Sequence, residues 1–385
     1  MRPFILPLCL LSGIILFVMI VIPAPAAQAS FVDQPPPLSG WTHPTSYGLG
    51  HDTPARHGID LNHAPIIRSS PVIAEIDGNP ASKEVAVVTS DGFLHVRRSD
   101  GTQLWNPVQL LPAPCTPKAN DAVGHSNPAV GKLLGNDVYY IVVGYGTILP
   151  SNCDGGIVAV NGQTGQIAWR FSLRQWQQQQ GYPPEDLYGV VSSVALADTD
   201  NDGKLEIAFG GLDRNLYLLS AATSTTYTVR WYYHAADTVW STPIFYNVDN
   251  DPELELIAAT DISANPLVIP PTQDGGFLYA FDTAPRTPLR IEFQTGYIWR
   301  TFVDQALYSS PAIGDVLDDH PGDELVIGAS CSFPYNSSTK RGRWVKIFRL
   351  SDGTVLQTLN APECVESSPA IGDIDGDGKP EIVVN

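Results

Sequence analysis

The sequence predicts an all-β fold of short strands joined by turns. Glycine and proline each contribute 33 of the 385 residues, and charged residues make up only 16%. Apolar and polar residues alternate with a period of two in short segments that end at turn residues. Only the Gln-rich segment 174–180 has the character of a short helix. This combination is typical of many short strands linked by tight turns.

A cassette of about eighteen residues recurs along the chain and organises it. It is clearest at 367–384, where Ser-Ser-Pro-Ala-Ile-Gly-Asp-Ile-Asp-Gly-Asp-Gly-Lys-Pro-Glu-Ile-Val-Val joins two apolar runs. Successive copies start 49 to 68 residues apart. The six copies begin at Ser69, Ser126, Ser192, Ser241, Ser309 and Ser367.

Each repeat has the same order of predicted strands. In the first repeat an inner strand (71–76) leads through an acidic loop to an apolar strand (84–89), a Gly-led strand (92–96) and a final strand (100–105). The second and third strands of later repeats are predicted at 206–209 and 215–219, at 256–259 and 276–281, and at 325–327 and 344–348.

Four antiparallel strands in each of several repeated units predict a β-propeller. A β-sandwich is the alternative, but it does not explain why one strand–loop–strand cassette returns six times in the same order. The sixth repeat stops after its two inner strands. We therefore expect a six- or seven-bladed propeller over 67–385 with an incomplete last blade. Either residues 40–68 complete that blade or the chain is a fragment, which we favour.

The cassette resembles the FG-GAP, or VCBS, repeat of the integrin α-chain type of propeller. The resemblance covers 69–385 and is strongest in the third and sixth copies. The segment 155–169 is also similar to blades of propellers that bind the quinone cofactor PQQ, in architecture more than in chemistry. The integrin-type resemblance implies Ca²⁺ bound by the acidic loops.

The loops of the third and sixth repeats are the strongest candidates for metal binding. Each places acids at loop positions one, three, five and nine, where three carboxylates on one turn would repel one another without a cation. Position twelve of the third loop is Phe209, which excludes an EF-hand. The predicted side-chain ligands are Asp198, Asp200, Asp202 and Glu206, and Asp373, Asp375, Asp377 and Glu381. The resemblance further implies that the main-chain carbonyls of Lys204 and Lys379 are ligands, and its usual ninth residue is Asp, not Glu.

The other four loops depart from this pattern. The fourth is a weaker candidate with Asn247, Asp249, Asp251 and Glu255. The first loop (Glu75, Asp77, Asn79, Glu84) and the fifth (Asp315, Asp318, Asp319, Glu324) each carry one extra residue, so we expect weak binding or none. The second has Lys132 at position one and Leu134 at position three, so we expect no metal there.

The first residues predict export. Residues 1–29 combine a weakly basic start, an apolar run and an Ala-Gln-Ala site, which indicates a signal peptide more than a retained membrane anchor.

Residues 30–66 are Pro-rich and predict an N-terminal arm. Four histidines in the arm lie near Asp52 and Asp60, but they match no closed metal motif, so we interpret them as surface residues. They are His43, His51, His57 and His63.

Charge and cysteine content support an extracytoplasmic protein. The net charge of −18 makes nucleic acid an unexpected partner. Without Cys9 of the leader, four cysteines remain, which favours two disulfides in an exported chain. Three pairings exist. The phase of the repeat favours Cys115 with Cys153 and Cys331 with Cys364, because all four then lie beside inner strands on one face.

The residues favour a binding module over an enzyme. The repeated serines at strand starts are periodic, and no nucleophile–base pair or phosphate-binding glycine loop is evident. We expect a secreted or cell-surface propeller whose variable loops bind a protein or glycan, at 111–122, 174–188, 261–274 and 330–343. The alternative is a propeller enzyme, either a PQQ-type oxidoreductase or a polysaccharide lyase.

Tryptophans recur near the repeat ends, and we expect them to pack between blades more than to stack on sugars. They include Trp105, Trp169, Trp231 and Trp299.

Overall fold

The structure, a computed structural model, describes most of the chain after residue 68. The described residues are 69–113, 115, 123–185, 187–262, 273–293, 295–334 and 341–385. The predicted leader (1–29), the arm (30–66) with its histidines, and a glycosylation sequon at Asn336 lie outside them.

The described strands form six sheets, one for each repeat, and all their pairings but one are antiparallel. The first sheet contains β1 (Val72–Ala74), β2 (Glu84–Val88), β3 (Phe93–Arg97) and β4 (Val108–Gln109). The second contains β5 (Ala129–Gly131), β6 (Tyr140–Tyr145), β7 (Gly156–Asn161) and β8 (Ile167–Ser172). The helix α1 (Leu173–Gln179) follows β8, with the Ser172 hydroxyl accepting the Gln175 N–H as its N-cap.

The third sheet has a fifth strand that comes from the next repeat. It contains β9 (Ala195–Ala197), β10 (Glu206–Gly210), β11 (Asn215–Thr223) and β12 (Thr226–His234). The fourth sheet contains β13 (Ile244–Tyr246), β14 (Glu255–Ile262) and β15 (Gly275–Phe281), then β17 (Trp299–Val303) after the intervening β16 (Arg290–Ile291). This β16 pairs in parallel with β12 of the third sheet.

The last two sheets complete the series. The fifth contains β18 (Ala312–Gly314), β19 (Glu324–Gly328), β20 (Trp344–Arg349) and β21 (Val355–Asn360). The sixth consists of β22 (Ala370–Gly372) and β23 (Glu381–Val383), which is the predicted pair of inner strands.

The predicted strands and helix are confirmed, apart from one outer strand. Residues 100–105 of the first repeat were expected to form its final strand, but they form a turn with one bridge between Arg97 and Gln103. Asp100 causes this difference, since its carboxylate accepts both the N–H and the hydroxyl of Thr102 and so stabilises a tight turn. The outer strand forms later, at Val108–Gln109.

Alternating apolar side chains pack each of the second to fifth sheets against both of its neighbours. On β10, Ile207 and Phe209 lie in the core shared with the second sheet, whereas Ala208 lies in the core shared with the fourth. Further cores join the first sheet to the second, the fourth to the fifth and the fifth to the sixth. Strands buried on both faces are therefore apolar almost throughout, and burial of this area is the main stabilising contribution.

The tryptophans near repeat ends pack between sheets, as expected. The Trp105 indole donates to the Gly162 carbonyl of the second sheet, and Trp299 donates in the same way to Leu350 of the fifth. A Cβ at Gly165 or Gly353, both of positive φ, would lie about 2.6 or 2.5 Å from the ring of Trp105 or Trp299. These turns therefore require glycine both for the backbone angle and for the space that the indole fills.

A chain of hydrogen bonds connects the starts of the six inner strands. In each link, the second residue of one cassette donates its backbone N–H to the side-chain oxygen of the second residue of the next cassette. The links run from Ser70 to Asn127 (2.6 Å), Asn127 to Ser193 (3.2 Å), Ser193 to Thr242 (2.9 Å), Thr242 to Ser310 (2.9 Å) and Ser310 to Ser368 (3.1 Å). The first serine of the third cassette acts within its own sheet instead, since Ser192 bonds both backbone groups of Gly210.

The Ser310→Ala variant is expected to lower the free energy of unfolding by about 1 kcal/mol, because the half-buried Thr242 N–H loses its acceptor. Denaturant unfolding would measure this change. The matched control is Ser351→Ala in an exposed turn, which should change stability by less than about 0.5 kcal/mol. Equal effects of the two substitutions would contradict a stabilising role for the link.

Two disulfides have the predicted pairing. Cys115 is bonded to Cys153 and Cys331 to Cys364, with Cα–Cα distances of 4.8 and 5.5 Å. Both bridges join segments next to the starts of inner strands, opposite the ends from which the acidic loops leave. Such bonds persist in oxidising compartments, so the chain is suited to an extracytoplasmic environment.

Candidate metal-binding loops

The acidic loops each connect an inner strand to the second strand of the same sheet. In the third sheet, Asp198 directly follows β9 and Glu206 begins β10. The two strands pair with Ala197 opposite Glu206, so the pairing brings the first and ninth loop positions together. The sixth loop repeats this arrangement between β22 and β23, where Gly372 lies opposite Glu381.

Carboxylates converge in four of the loops. In each of the four, three acidic side chains offer oxygens that all lie within 4.8 Å of one another. Ca²⁺ binds oxygens at 2.3–2.6 Å, so two ligands of one ion lie up to about 5 Å apart, and the donor sets fit a single Ca²⁺. The groups are Glu75, Asp77 and Glu84; Asp198, Asp200 and Glu206; Asp249, Asp251 and Glu255; and Asp373, Asp375 and Glu381.

The first loop brings its acids together despite its extra residue, which we expected to disturb the spacing. The Glu75 carboxylate accepts the Gly78 N–H and the Asp77 carboxylate accepts the Asn79 N–H. These turns absorb the extra residue, so Glu75 and Asp77 still face Glu84. In the described chain, the fifth loop does not form such a group. In the second loop Lys132 instead pairs with Asp137 at 3.0 Å.

The five glutamates that begin the second strands of their sheets have a second role that the sequence did not indicate. Each accepts the backbone N–H of loop position two, as Glu206 does from Thr199 at 3.0 Å and Glu381 from Ile374 at 2.8 Å. Four of the five are buried: Glu84, Glu206, Glu255 and Glu324. The longer Glu side chain therefore reaches back to fix the first turn of the loop, which is a physical reason for Glu at this position.

Burial and neighbouring charge make some of these carboxylates costly to ionise. Burial raises the pKa of Glu255, and the nearby charges of Asp249 and Asp251 raise it further. Burial likewise raises the pKa of Glu324. A bound cation would offset both effects at Glu255, because it favours the charged form.

The fifth-position aspartates lie outside the converging groups in the third and sixth loops. Asp202 accepts the Lys204 N–H at 2.8 Å, and Asp377 accepts the Lys379 N–H at the same distance. The Lys204 N–H lowers the pKa of Asp202, with a further contribution from the Lys204 ammonium. The structure thus uses these two acids to form turns. In the fourth loop Asp251 does converge, whereas Asn247 is bonded to Asn250 and Asp251.

Lysine side chains of the loops pair with acids outside the converging groups. The Lys379 ammonium contacts Asp318 of the fifth loop and so connects the last two sheets. The Lys204 ammonium lies 3.2 Å from Asp202. The proposed role of their main-chain carbonyls as ligands stays a prediction.

The third loop differs from the others because a guanidinium lies against its acids. Arg230 on β12 contacts Glu206 at 2.8 Å and Asp200 at 2.9 Å. An open cleft of about 450 Å³ borders this pair, and its lining includes Asp200, Arg230 and Arg286. Solvent ions therefore have access to the exposed side of the loop.

Comparisons with known proteins show the fold. The C-terminal domain of PilY1 from Pseudomonas aeruginosa matches with a TM-score of 0.53 and 13% identity, over 82% of both chains. The rhamnogalacturonan lyase YesW matches with a TM-score of 0.50 and 13% identity, over 82% of this chain and 55% of that one. BamB from Moraxella catarrhalis matches with a TM-score of 0.44 and 13% identity, over 79% of this chain and 63% of that one.

The fold is a β-propeller. No protein-family model and no curated protein sequence matches the chain. The chain spans little more than half the length of YesW. Since this fold occurs in the lyase and also in PilY1, the fold alone does not assign an activity to the propeller.

Sequence reasoning missed Arg230, although it identified every acid near it. Arg230 lies 24 residues after Glu206 in the chain and on a strand that is two strands away in the sheet. The pairing of β11 with β12 skips it, since Leu218 is opposite Trp231 and Leu219 is opposite Val229. Such a bulge changes the direction of a side chain and has no clear sequence signal. The position of Arg230 in the propeller was therefore apparent only from the structure.

Proposed function

We propose that this chain is an exported, Ca²⁺-binding β-propeller that acts as a non-enzymatic binding module for a protein or a glycan. The observation that carries the proposal is the recurrence of three converging carboxylates at the same place, between the inner and second strands, in several repeats. Adventitious acidic clusters have no reason to recur at one structural position. A bound Ca²⁺ would stiffen the loop that holds it and the two strands that this loop joins.

The two ends of the sheets have different roles in this proposal. The acidic loops leave the inner strands at one end. The strands that precede the four variable segments (111–122, 174–188, 261–274 and 330–343) are β4, β8, β14 and β19, and these strands end at the opposite end, where both disulfides lie. Variable loops on a rigid scaffold are where binding residues are concentrated. We therefore assign ligand binding to the disulfide end and metal binding to the acidic end.

The proposed location is outside the cytoplasm, as a secreted or cell-surface protein. The two disulfides and the predicted leader support it. In the described part of the chain, no helix is long and apolar enough to cross a bilayer.

Calcium titration of the Asp375→Asn variant tests the metal part of the proposal. Asp375 belongs to the converging group of the sixth loop, so the variant should bind one Ca²⁺ fewer than the wild type by isothermal titration calorimetry. The matched control is Asp377→Asn, because Asp377 lies in the same loop outside that group and should leave the number of sites unchanged. For the wild type, Ca²⁺ at one hundred times its Kd should add about 2.7 kcal/mol of stability per site.

A glycan array and a pull-down, each with Ca²⁺ and with EGTA, test the binding part. Specific capture of a protein or glycan by the wild type would support the binding part if the capture requires intact disulfides. Absence of Ca²⁺ binding and of any captured ligand would contradict the proposal. The enzymatic alternative would be supported by dye reduction after reconstitution with PQQ, or by release of unsaturated products from a polysaccharide.

A further inference from the structure

We propose that Arg230 is a built-in counter-cation of the third loop, which holds this loop closed without Ca²⁺ while the sixth loop depends on the ion. The inference rests on the proposed Ca²⁺ binding of the acidic loops and divides the loops into two classes. It concerns two carboxylates, Asp200 and Glu206, and the guanidinium between them. In the third repeat, the protein itself supplies the positive charge that the loop needs.

The geometry of Arg230 is that of a buried, two-pronged ion pair. One terminal nitrogen lies 2.8 Å from Glu206 and the other lies 2.9 Å from Asp200. The side chain of Arg230 is 8% exposed and that of Glu206 is 2% exposed. A guanidinium holds two acceptors in a fixed plane, so it fixes the distance between these carboxylates as a metal ion would.

Hydrogen bonds use the full acceptor capacity of Glu206. One carboxylate oxygen accepts the N–H and the hydroxyl of Thr199, at 3.0 and 2.8 Å. The other accepts from Ser220 at 3.1 Å and from Arg230. A carboxylate has about four lone-pair sites. A Ca²⁺ ion could therefore gain Glu206 as a ligand only by displacing one of these donors.

The β-bulge explains why Arg230 can reach the loop. In a regular pairing of β11 with β12, residue 230 would have a partner on β11, but the register passes over it. The extra residue turns its side chain toward the loop that precedes β10. The bulge is therefore the structural feature that brings a cation from an outer strand to an inner loop.

The sixth loop has the same acids with different partners. In the described chain, the lysine of this loop pairs with Asp318, and Glu381 accepts the Ile374 N–H. Asp373, Asp375 and Glu381 thus lack a counterpart of the Arg230 contact among the ion pairs of the described residues. Their mutual repulsion would be relieved by a bound ion.

A comparison of Arg230→Gln with the wild type tests the inference. In EGTA, the variant should unfold at a lower temperature than the wild type, and Ca²⁺ should recover most of that loss. Calorimetry should show one additional Ca²⁺ per chain, because removal of the guanidinium frees an acceptor site on Glu206. Adding Asp198→Asn to Arg230→Gln should abolish the additional site.

The matched control is Arg286→Gln. Arg286 lines the same cleft but its guanidinium lies over the Trp231 ring and near the Asp282 carbonyl, away from the acidic loop. This control should leave the number of Ca²⁺ ions and the effect of EGTA as in the wild type.

Two outcomes separate the inference from the proposed function. If the wild type binds Ca²⁺ and Arg230→Gln gains no site and loses equal stability with and without the ion, the inference is overturned while the proposed function stands. If no loop of any variant binds Ca²⁺, the proposed function fails. A double-mutant cycle of Arg230→Gln and Asp200→Asn in EGTA then decides on the counter-cation: non-additive effects support it and additive effects overturn it.

Discussion

The Glu206→Ala variant is expected to lose about 3–5 kcal/mol of the free energy of unfolding, the largest effect of any substitution in the acidic loops. The variant leaves the 8%-exposed Arg230 with one partner in place of two. It also removes the acceptor for the buried Thr199 N–H and hydroxyl. Uncompensated buried charge and unpaired buried donors are among the few mechanisms that give such large effects.

Glu381→Ala in the sixth loop is the matched control. Glu381 holds the same loop position, but it is only half-buried and accepts the Ile374 N–H. Its replacement in EGTA should cost about 0.5–1.5 kcal/mol. Urea unfolding of both variants in EGTA measures the difference.

Glu206→Gln provides a second measurement if Glu206→Ala does not fold. The amide keeps the shape and one acceptor but removes the charge that pairs with Arg230, so we expect a loss between those of the other two variants. Equal losses for Glu206→Ala and Glu381→Ala would show that the Arg230 contact contributes nothing.

The second large effect concerns the pH dependence of stability. In the third sheet, Asn215 connects the buried Asp213 with the half-buried His234: its amide nitrogen donates to Asp213 at 2.8 Å, and its amide oxygen lies 2.9 Å from Nδ1 of His234. That oxygen can only accept, so Nδ1 of His234 carries a proton. Tyr217 and Gln177 also donate to the Asp213 carboxylate.

The two groups have shifted pKa values of opposite direction. Burial raises the pKa of Asp213 from 3.8 to about 6, against the opposing effect of its hydrogen bonds. Burial lowers the pKa of His234 from 6.5 to about 4, and the charges of Arg290 and Arg214 lower it further.

These shifts give opposite slopes of stability against pH. The contribution of Asp213 is fully present below pH 3.8 and is lost as the pH rises through about 6. The contribution of His234 is present above pH 6.5 and is lost as the pH falls through about 4. Each amounts to about 3 kcal/mol, so the two nearly cancel between pH 4 and 6 in the wild type.

Single substitutions should reveal each slope. In Asp213→Asn, stability relative to the wild type should rise by about 2 kcal/mol from pH 4 to pH 6, because the part of the Asp213 loss that falls in this range is removed. In His234→Gln, stability relative to the wild type should fall by a similar amount over the same range. Urea unfolding at several pH values measures both. Differences that do not vary with pH would contradict the assignment of either pKa.

The sequence by itself determined the repeat, the strands and the acids. The period-two pattern of segments such as 206–209 and 325–327 predicted strands that the structure confirms, because local alternation and turn residues are sufficient to specify them. The spacing of acids around Asp200 and Asp375 likewise predicted three of the side chains that converge in each loop, whereas Asp202 and Asp377, predicted with them, lie outside these groups. The phase of the repeat was sufficient to select both disulfides.

Only the tertiary structure decided which partners these residues have. The link from Ser310 to Ser368, the β16 strand added to the third sheet and the contact of Arg230 with Glu206 all join residues that are distant in sequence. Such contacts depend on how sheets pack and where a strand bulges, and a local pattern does not encode either. The acids of the third and sixth loops therefore look equivalent in sequence, and their different counter-charges follow from the packing around them.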